Sequence, residues 1–346
     1  MAKNVKMADI AKLAGVSTVT VSKALAGQKG VSEKMRAKIE ELADELGYVR
    51  MSSEKKSDEK TGYMIVTVVA ERYLQENQSF YWQIYQEIAQ RTIACNCFTM
   101  LEVISHDDEK SCALPQSVLR QKADGMIIMG NFKKAYINHL VKSVKMPHVF
   151  LDSTYTDGNC DAVVSNNVLG GYVMTNYLYN LGHKNIGFVG TLLSTSSIDD
   201  RYLGYVKSTL EHGGKISEEL VLSDRDREIG KVDLDKYLKF PEKMPTAFFC
   251  NCDYTASILI KKLNDMGYRV PEDISVVGFD NYLNEQLPGL GITTYEIDTK
   301  AMAKRVTHII EHKLRNANYS TGVFTLGGKF IEGDTAKRIA EPVPGV

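Results

Sequence analysis

The sequence predicts a small all-α helix-turn-helix head followed by an α/β body of two Rossmann-like lobes. Two short apolar-periodic segments meet at Gly15 near the N-terminus. β-rich apolar runs then alternate with helical segments from residue 63 to residue 279, the pattern of parallel βαβ units. Between them lies "SSEKKSDEK", residues 52–60, which has no apolar residue and reads as a solvated linker. The expected boundaries are a head over 1–50, a linker over 51–61 and a body over 62–340.

The head begins with "VKMADIAKLAGVSTVTVSKALAG", residues 5–27. Met7, Ile10, Ala11 and Ala14 fall at helical spacing, and Val16, Val19, Val21, Ala24 and Leu25 supply the apolar side of the next segment. Gly15 suits the left-handed turn between them, Ala11 permits close helix approach, and Ser17 can cap the second helix. A third helix, "VSEKMRAKIEELADELGY", starts at Ser32, buries Met35, Ile39, Leu42 and Leu46, and stops at Gly47. An ordinary helical hairpin is the bland alternative. Read as a helix-turn-helix, the second helix presents its first residues to base edges in the major groove. Thr18, Val19 and Lys23 then face bases: Lys23 donates to guanine, Val19 touches a thymine methyl, and Thr18 serves several bases. Ser17, Thr20 and Ser22 are placed for phosphates or packing. Ser32, Arg36 and, in the linker, Lys55 complete the expected DNA-contacting set.

In the body, strands are expected at 63–70, 97–104, 125–130 and 147–151, with helices near 80–94, 108–121 and 133–143. The alternation resumes with 167–181, "NIGFVG", 199–213, "LVL", 231–239, "TAFFC", 253–267 and "ISVVGF". "ITTYEI", a helix over 298–313 and "GVFTL" then exceed what one lobe needs.

The 346 residues, 44% of them hydrophobic, suffice for two or three domains. No apolar run approaches the roughly 20 residues of a membrane span, and no signal peptide is visible, so a cytoplasmic protein without membrane contact is expected. Six cysteines lack zinc-site spacing and read as reduced thiols; no metal and no cofactor is expected. The net charge of -1 hides an asymmetry: residues 1–61 hold 12 lysines and arginines against 9 acids, so a basic head joins an acidic body.

At "MADIAKLAGVSTVTVSKALAG" and "VSEKMRAKIEELADELGY" the chain resembles the LacI family of bacterial transcription regulators. The likeness continues through "LGHKNIGFVG", "DRYLGY", "PTAFFCNCD" and "DMGYRVPEDISVVGFDN". It implies a homodimer on a pseudo-palindromic double-stranded operator. It also implies a hinge, and a two-lobed effector domain resembling periplasmic sugar-binding proteins. Three crossings between lobes would give lobe one 62–166 and 295–322, and lobe two 167–294 and 323–340. The family hinge carries a Pro-Asn pair, an Ala-Arg pair and a Leu that wedges into the minor groove; the matching positions here are Arg50, Met51, Glu54, Lys55 and Ser57. Serine cannot supply that apolar wedge.

The resemblance also implies a small-molecule effector, carbohydrate in kind, between the lobes at the C-terminal ends of the strands. Arg201 and Asp280 are carried over as polar contacts, with Ser197 and Asp253 as neighbours. The alternative for the charged pair is a structural salt bridge between lobes. Phe80, Tyr81 and Trp82 open the first helix of lobe one, where one or two rings are expected to face the cleft and the rest to join the core. Cys252 stands where several sugar-responsive relatives have Asn. "SDRDREIG", residues 223–230, is either a solvated loop or a rim whose Arg225 and Arg227 favour a phosphorylated or acidic sugar.

Two rival classes are an α/β enzyme and a sugar-binding protein without a DNA role. The first lacks a phosphate loop, a dinucleotide fingerprint and a nucleophile elbow. The second needs an export signal and leaves residues 1–50 unexplained. The ending "AKRIAEPVPGV" has no leucine heptads, so a dimer is expected rather than a coiled-coil tetramer.

Overall fold

A computed structural model describes residues 6–25, 30–46, 48, 62–74, 80–157, 159–282, 290–316, 318–320 and 322–339. The chain forms two compact units, residues 1–59 and 60–346. In the first, α1 (Met7–Ala14), α2 (Thr18–Leu25) and α3 (Glu33–Glu45) enclose a small core. Gly15 adopts φ 73°, and its N–H returns to the Ala11 carbonyl, which ends α1 and turns the chain. The Thr20 N–H donates to Ser17 Oγ at 3.1 Å, capping α2, and the Met35 N–H donates to Ser32 Oγ, capping α3. Ile10, Val21 and Ile39 are fully buried, with Ala11, Ala14, Ala24, Leu25 and Ala43 around them. Each of the three large side chains contributes roughly 1.5–3 kcal/mol by burial. Val19 departs from the apolar side assigned above: it is 61% exposed, because it lies on the face of α2 opposite Val21. Gly47, Arg50, Met51, Glu54, Lys55 and Ser57 lie outside the described residues.

The second unit holds two parallel sheets. β1 (Tyr63–Ala70), α4 (Phe80–Ala94), β2 (Cys97–Ile104), α5 (His106–Ser111), α6 (Gln116–Leu119), β3 (Gly125–Met129), α7 (Lys134–Ser143), β4 (His148–Leu151) and β5 (Ala162–Ser165) form most of the first lobe. α8 (Asn167–Asn180), β6 (Ile186–Val189), α9 (Ser196–Glu211), β7 (Val221–Leu222), α10 (Leu234–Tyr237), β8 (Ala247–Cys250), α11 (Asp253–Asp265) and β9 (Ser275–Val277) form the second. β10 (Thr294–Glu296), α12 (Thr299–Arg315), β11 (Val323–Leu326) and β12 (Lys329–Ile331) follow. The first sheet has the order β11-β5-β4-β3-β1-β2 and the second β7-β6-β8-β9, with β10 and β12 paired antiparallel. β1 and β3 are buried along the runs that read as continuous apolar strands, as sheets covered on both faces require.

α12 returns to the first lobe, where it packs against α4 and β4 and where Lys313 pairs with Asp161. β11 joins the first sheet beside β5, so Val323–Leu326 does not belong to lobe two as the sequence reading places it. The ladder decides this: the Ala162 N–H bonds to the Gly322 carbonyl and the Gly322 N–H to Asp161 Oδ1. The chain then crosses a third time, and Thr335 and Ile339 bond to Val276 and Leu181 of the second lobe. Two expected helices are also shortened. The segment 108–121 breaks into α5 and α6 because Cys112 turns left-handed (φ 56°) and Pro115 follows. Of 231–239 only one turn is helical, since Val232 forms a bridge with Arg225.

Glycines bring α8 and α9 together. A Cβ on Gly171 would lie 2.2 Å from the Arg201 carbonyl oxygen, and one on Gly204 would lie 2.3 Å from the Val168 carbonyl oxygen. This crossing fixes the start of α9, and with it Arg201. In a free helix Gly→Ala stabilises by roughly 1 kcal/mol. Here Gly204→Ala should instead destabilise, by about 1–3 kcal/mol through overpacking. A urea unfolding midpoint that rises in the variant would contradict the close crossing.

Candidate DNA-reading face and interlobe ligand site

On α2, Thr18, Val19, Ser22 and Lys23 are exposed. Positions 18 and 22, and 19 and 23, are each one turn apart, so the four share one helix face. Ser17 and Thr20 engage each other, their hydroxyl oxygens 2.9 Å apart, so part of their hydrogen-bonding capacity is used inside the cap. Arg36, expected among the DNA contacts, has Nη1 donating to the Ala24 carbonyl at 2.7 Å. From α3 it closes the C-terminal end of α2, a favourable place for a cation. Ser32 is exposed at the start of α3, and Lys55 lies outside the described residues.

In the second unit the candidate ligand residues gather where the strands of the two lobes end. On the first lobe, the Tyr73 and Tyr81 rings meet at a tilt of 43° with centroids 4.6 Å apart, and the Phe80 ring stands edge-on to Tyr81 at 5.4 Å. Phe80 also meets Tyr282 of the second lobe at 6.3 Å. Trp82 does not join them; it is 40% exposed and lies against Tyr85. The Tyr81 hydroxyl donates to Asp152 Oδ2 at 2.7 Å. Asp152 sits just beyond β4 in the left-handed region (φ 56°), buried, and its Oδ1 has no partner among the described residues. Burial pushes its carboxyl up from the usual range. The sequence reading missed Asp152, although an aspartate directly after the apolar run "HVFL" is the signal such a site leaves.

On the second lobe, Arg201 is 7% exposed. Its Nε donates to Asn167 Oδ1 at 2.9 Å and its Nη1 to the Asn251 carbonyl at 2.5 Å, and its guanidinium lies 3.9 Å from the centre of the Phe279 ring. Arg201 and Asp280 both belong to this lobe, so the alternative of a salt bridge between lobes does not hold for this pair. Asp280, at φ 91°, lies in the left-handed region and accepts the Tyr282 N–H at 3.1 Å. Burial raises its carboxyl to about 7 against the pull of Arg201. Asp253 is 2% exposed, and burial followed by the neighbouring Asp280 drives its carboxyl well above the ordinary range. Its Oδ1 occupies the space that a Cβ on Gly278 would take, 1.9 Å away. Ser197 is buried, while Ser196 beside it bonds across to Asn131 Oδ1 of the first lobe at 3.0 Å.

Sequence reasoning also missed a buried polar knot. Asn251, 1% exposed, accepts Arg201 at its carbonyl and Arg225 Nη2 at Oδ1 (2.8 Å), and its Nδ2 donates to Asp224 at 2.7 Å and to the Val189 carbonyl at 2.9 Å. Asp224 is fully buried and also accepts from Thr191, Thr255 and Arg225. These partners outweigh the desolvation and hold its carboxyl down to about 2. Arg225 is therefore not part of a solvated loop; Arg227, two residues on, is exposed. Cys252 caps α11 with its sulfur 3.8 Å from Arg225 Nη2.

Comparison with known proteins matches both units. The family model for bacterial regulatory proteins of the lacI family matches residues 6–50, and that for the periplasmic binding protein-like domain matches residues 175–336. The chain thus carries the lacI-family domain of bacterial regulatory proteins at its head. It is 26% identical over 336 residues to the HTH-type transcriptional repressor PurR of Vibrio vulnificus (strain CMCP6), covering 96% of this chain and 98% of that protein. The fold is shared with the transcriptional regulator CelR in complex with cellobiose, with a TM-score of 0.68 at 20% identity over 96% of this chain and 100% of that one. It is shared as well with the lac repressor dimer bound to operator and the anti-inducer ONPF, with a TM-score of 0.66 at 21% identity over 97% and 100%. Among the described residues no helix is long and apolar enough to cross a membrane, and no cluster of His, Cys, Asp and Glu could hold a metal ion.

The cleft carboxyls make a prediction about pH. Asp280 titrates near 7 when folded and near 3.8 when unfolded, so the folded protein binds more protons across that window. Its contribution is most favourable at the acid end and is lost as pH rises through about 7. Asp280→Asn removes this dependence, so the variant should gain stability relative to wild type between pH 5 and pH 8. Urea titrations showing the same stability difference at both pH values would contradict the raised carboxyl.

Proposed function

We propose that this protein is a cytoplasmic, sequence-specific transcriptional repressor, not an enzyme, that acts as a homodimer on a pseudo-palindromic operator. The observation that carries the reading is the exposed α2 face: a capped helix holds Thr18, Val19, Ser22 and Lys23 outward on a core too small for any other evident purpose. An exposed valine on such a helix suits a thymine methyl, and a lysine one turn on suits guanine O6 and N7. Ser17, Thr20 and Ser32 supply phosphate contacts from the helix starts. Two heads on a two-fold axis would read half-sites about one helical turn apart.

Control comes from a small carbohydrate-like effector between the lobes of the second unit. Phe80 and Tyr81 give it an apolar ring face, and Arg201 and Asp280 a donor and an acceptor. Asp253 and Ser197 act from behind, holding the loop of Asp280 and the start of α9. The named relatives support this reading, since the CelR structure is a cellobiose complex and the PurR proteins are repressors.

A gel shift against palindromes upstream of the protein's own gene and its neighbours tests the function; no shift at any salt would overturn it. Within a shifted complex, Lys23→Ala should cost about 1–3 kcal/mol at the cognate site and relax preference at one base pair per half-site. Equal loss on all sequences would make Lys23 a phosphate contact instead.

A further inference from the structure

Beside the carbohydrate end of the cleft lies a second chamber of different character. A cavity of about 450 Å³ opens between the lobes, walled by Arg72, Lys133 and Lys134 from the first and by Arg225 and Arg227 from the second, with Glu228 as the one acid among its lining residues. Three of these cations already have counter-ions. Arg72 is held by the buried Glu109, Arg225 by Asp224, and Lys134 by Asp157. The buried carboxylates of Glu109 and Asp224 fix the two arginines in place and still leave donors over. None of the hydrogen bonds of Arg225 among the described residues uses Nη1. Lys133 and Arg227 have no acidic partner within ion-pair distance among the described residues.

The chamber is also where two helices begin. α9 starts at Ser196 with Ser194 and Thr195 on the wall, and α7 starts at Lys134 from the opposite lobe, so both helix N-termini add positive potential. Asn131, also on the wall, has a buried Nδ2 with no partner among the described residues. The chamber and the carbohydrate end share a residue: the Asn251 carbonyl takes Arg201 while its Oδ1 takes Arg225.

We propose that this chamber is an anion subsite and that the effector is a phosphorylated sugar. Its hydroxyls lie against Asp152, Arg201 and Asp280, and its phosphate among Arg225, Arg227 and Lys133. A phosphate suits the site better than a carboxylate, because two uncompensated cations and several unused N–H donors face the chamber from both lobes. The proposal rests on the interlobe effector reading above and adds the chemical class. The same phosphate, bridging cations of both lobes, would draw the lobes together.

The test is equilibrium binding to the full chain, by calorimetry at constant ionic strength, of three probes: inorganic phosphate, glucose 6-phosphate and unphosphorylated glucose. Inorganic phosphate should bind, and glucose 6-phosphate should bind more tightly than glucose. Arg227→Ala and Lys133→Ala, both away from the buried knot, should each weaken the two phosphate probes by about ten- to a hundred-fold, the loss of one charge-assisted contact. They should leave glucose unchanged, and Arg227→Lys should recover part of the loss. Glucose binding as tightly as its phosphate, with no response to either alanine variant, would overturn the anion subsite while leaving the effector cleft standing. Phosphate binding that neither variant weakens would also overturn it, by placing the anion elsewhere. No binding of either phosphate probe would overturn the proposal outright, and operator binding would still report on the regulator reading.

Discussion

The buried hydrogen-bond knot around Asn251 is the constraint on which the second unit's site depends. It lies at the C-terminal end of β8, where the strand stops and four loops must meet without water. An amide there uses both ends: Oδ1 and the main-chain carbonyl take two guanidinium groups, and Nδ2 satisfies a fully buried aspartate and a main-chain carbonyl. Unpaired, Asp224 would cost several kcal/mol in such a place, and breaking one member of a buried charged network commonly costs about 3–5 kcal/mol. Paired, it locks the directions of Arg201 and Arg225. Those two directions divide the cleft into an end lined by Arg201 and Asp280 and a basic chamber.

The contrasting carboxyls of this unit have a common physical origin. Asp152 and Asp280 are weakly acidic because burial outweighs the help they receive from Arg201, and Asp253 because burial and the neighbouring Asp280 act together. Asp224, no less buried, stays ionised because four groups donate to it. The contrast is one of hydrogen-bond supply rather than depth. Poorly supplied carboxyls facing a cleft are ready acceptors for ligand hydroxyls, whereas the well-supplied one is structural. Asp152 and Asp280 both sit in left-handed backbone.

The head was the most legible part of the sequence, because its determinants are local: Gly15 at the turn, Ser17 and Ser32 as caps, and apolar residues three and four apart. Val19 departs from its expected side where an apolar residue faces outward, which periodicity alone cannot separate from core. In the body, the strands and most long helices were readable from alternation. Where β11 belongs was not, since "GVFTL" fits the edge of either sheet and only its pairing with β5 decides. For the ligand site, Arg201, Asp280, Phe80 and Tyr81 came from the family likeness and do converge in space. Asp152 and Asn251 escaped notice because their roles arise from contacts between residues far apart in the chain, such as Tyr81 with Asp152 and Arg225 with Asn251. Arg225 reads as surface charge in a polar stretch, because the burial of its neighbour Asp224 is set by the fold.

On the proposed function, operator binding by the first unit responds to chemistry organised by Asn251 in the second. The most direct measurement is operator affinity by fluorescence anisotropy, with and without the low-molecular-weight filtrate of the cell's own cytosol, for wild type and Asn251→Ala. The account predicts that the filtrate changes the operator Kd of the wild type, and that the variant binds operator with the same ligand-free Kd but no longer responds. A folded Asn251→Ala protein whose operator affinity still responds to the filtrate as the wild type does would contradict it.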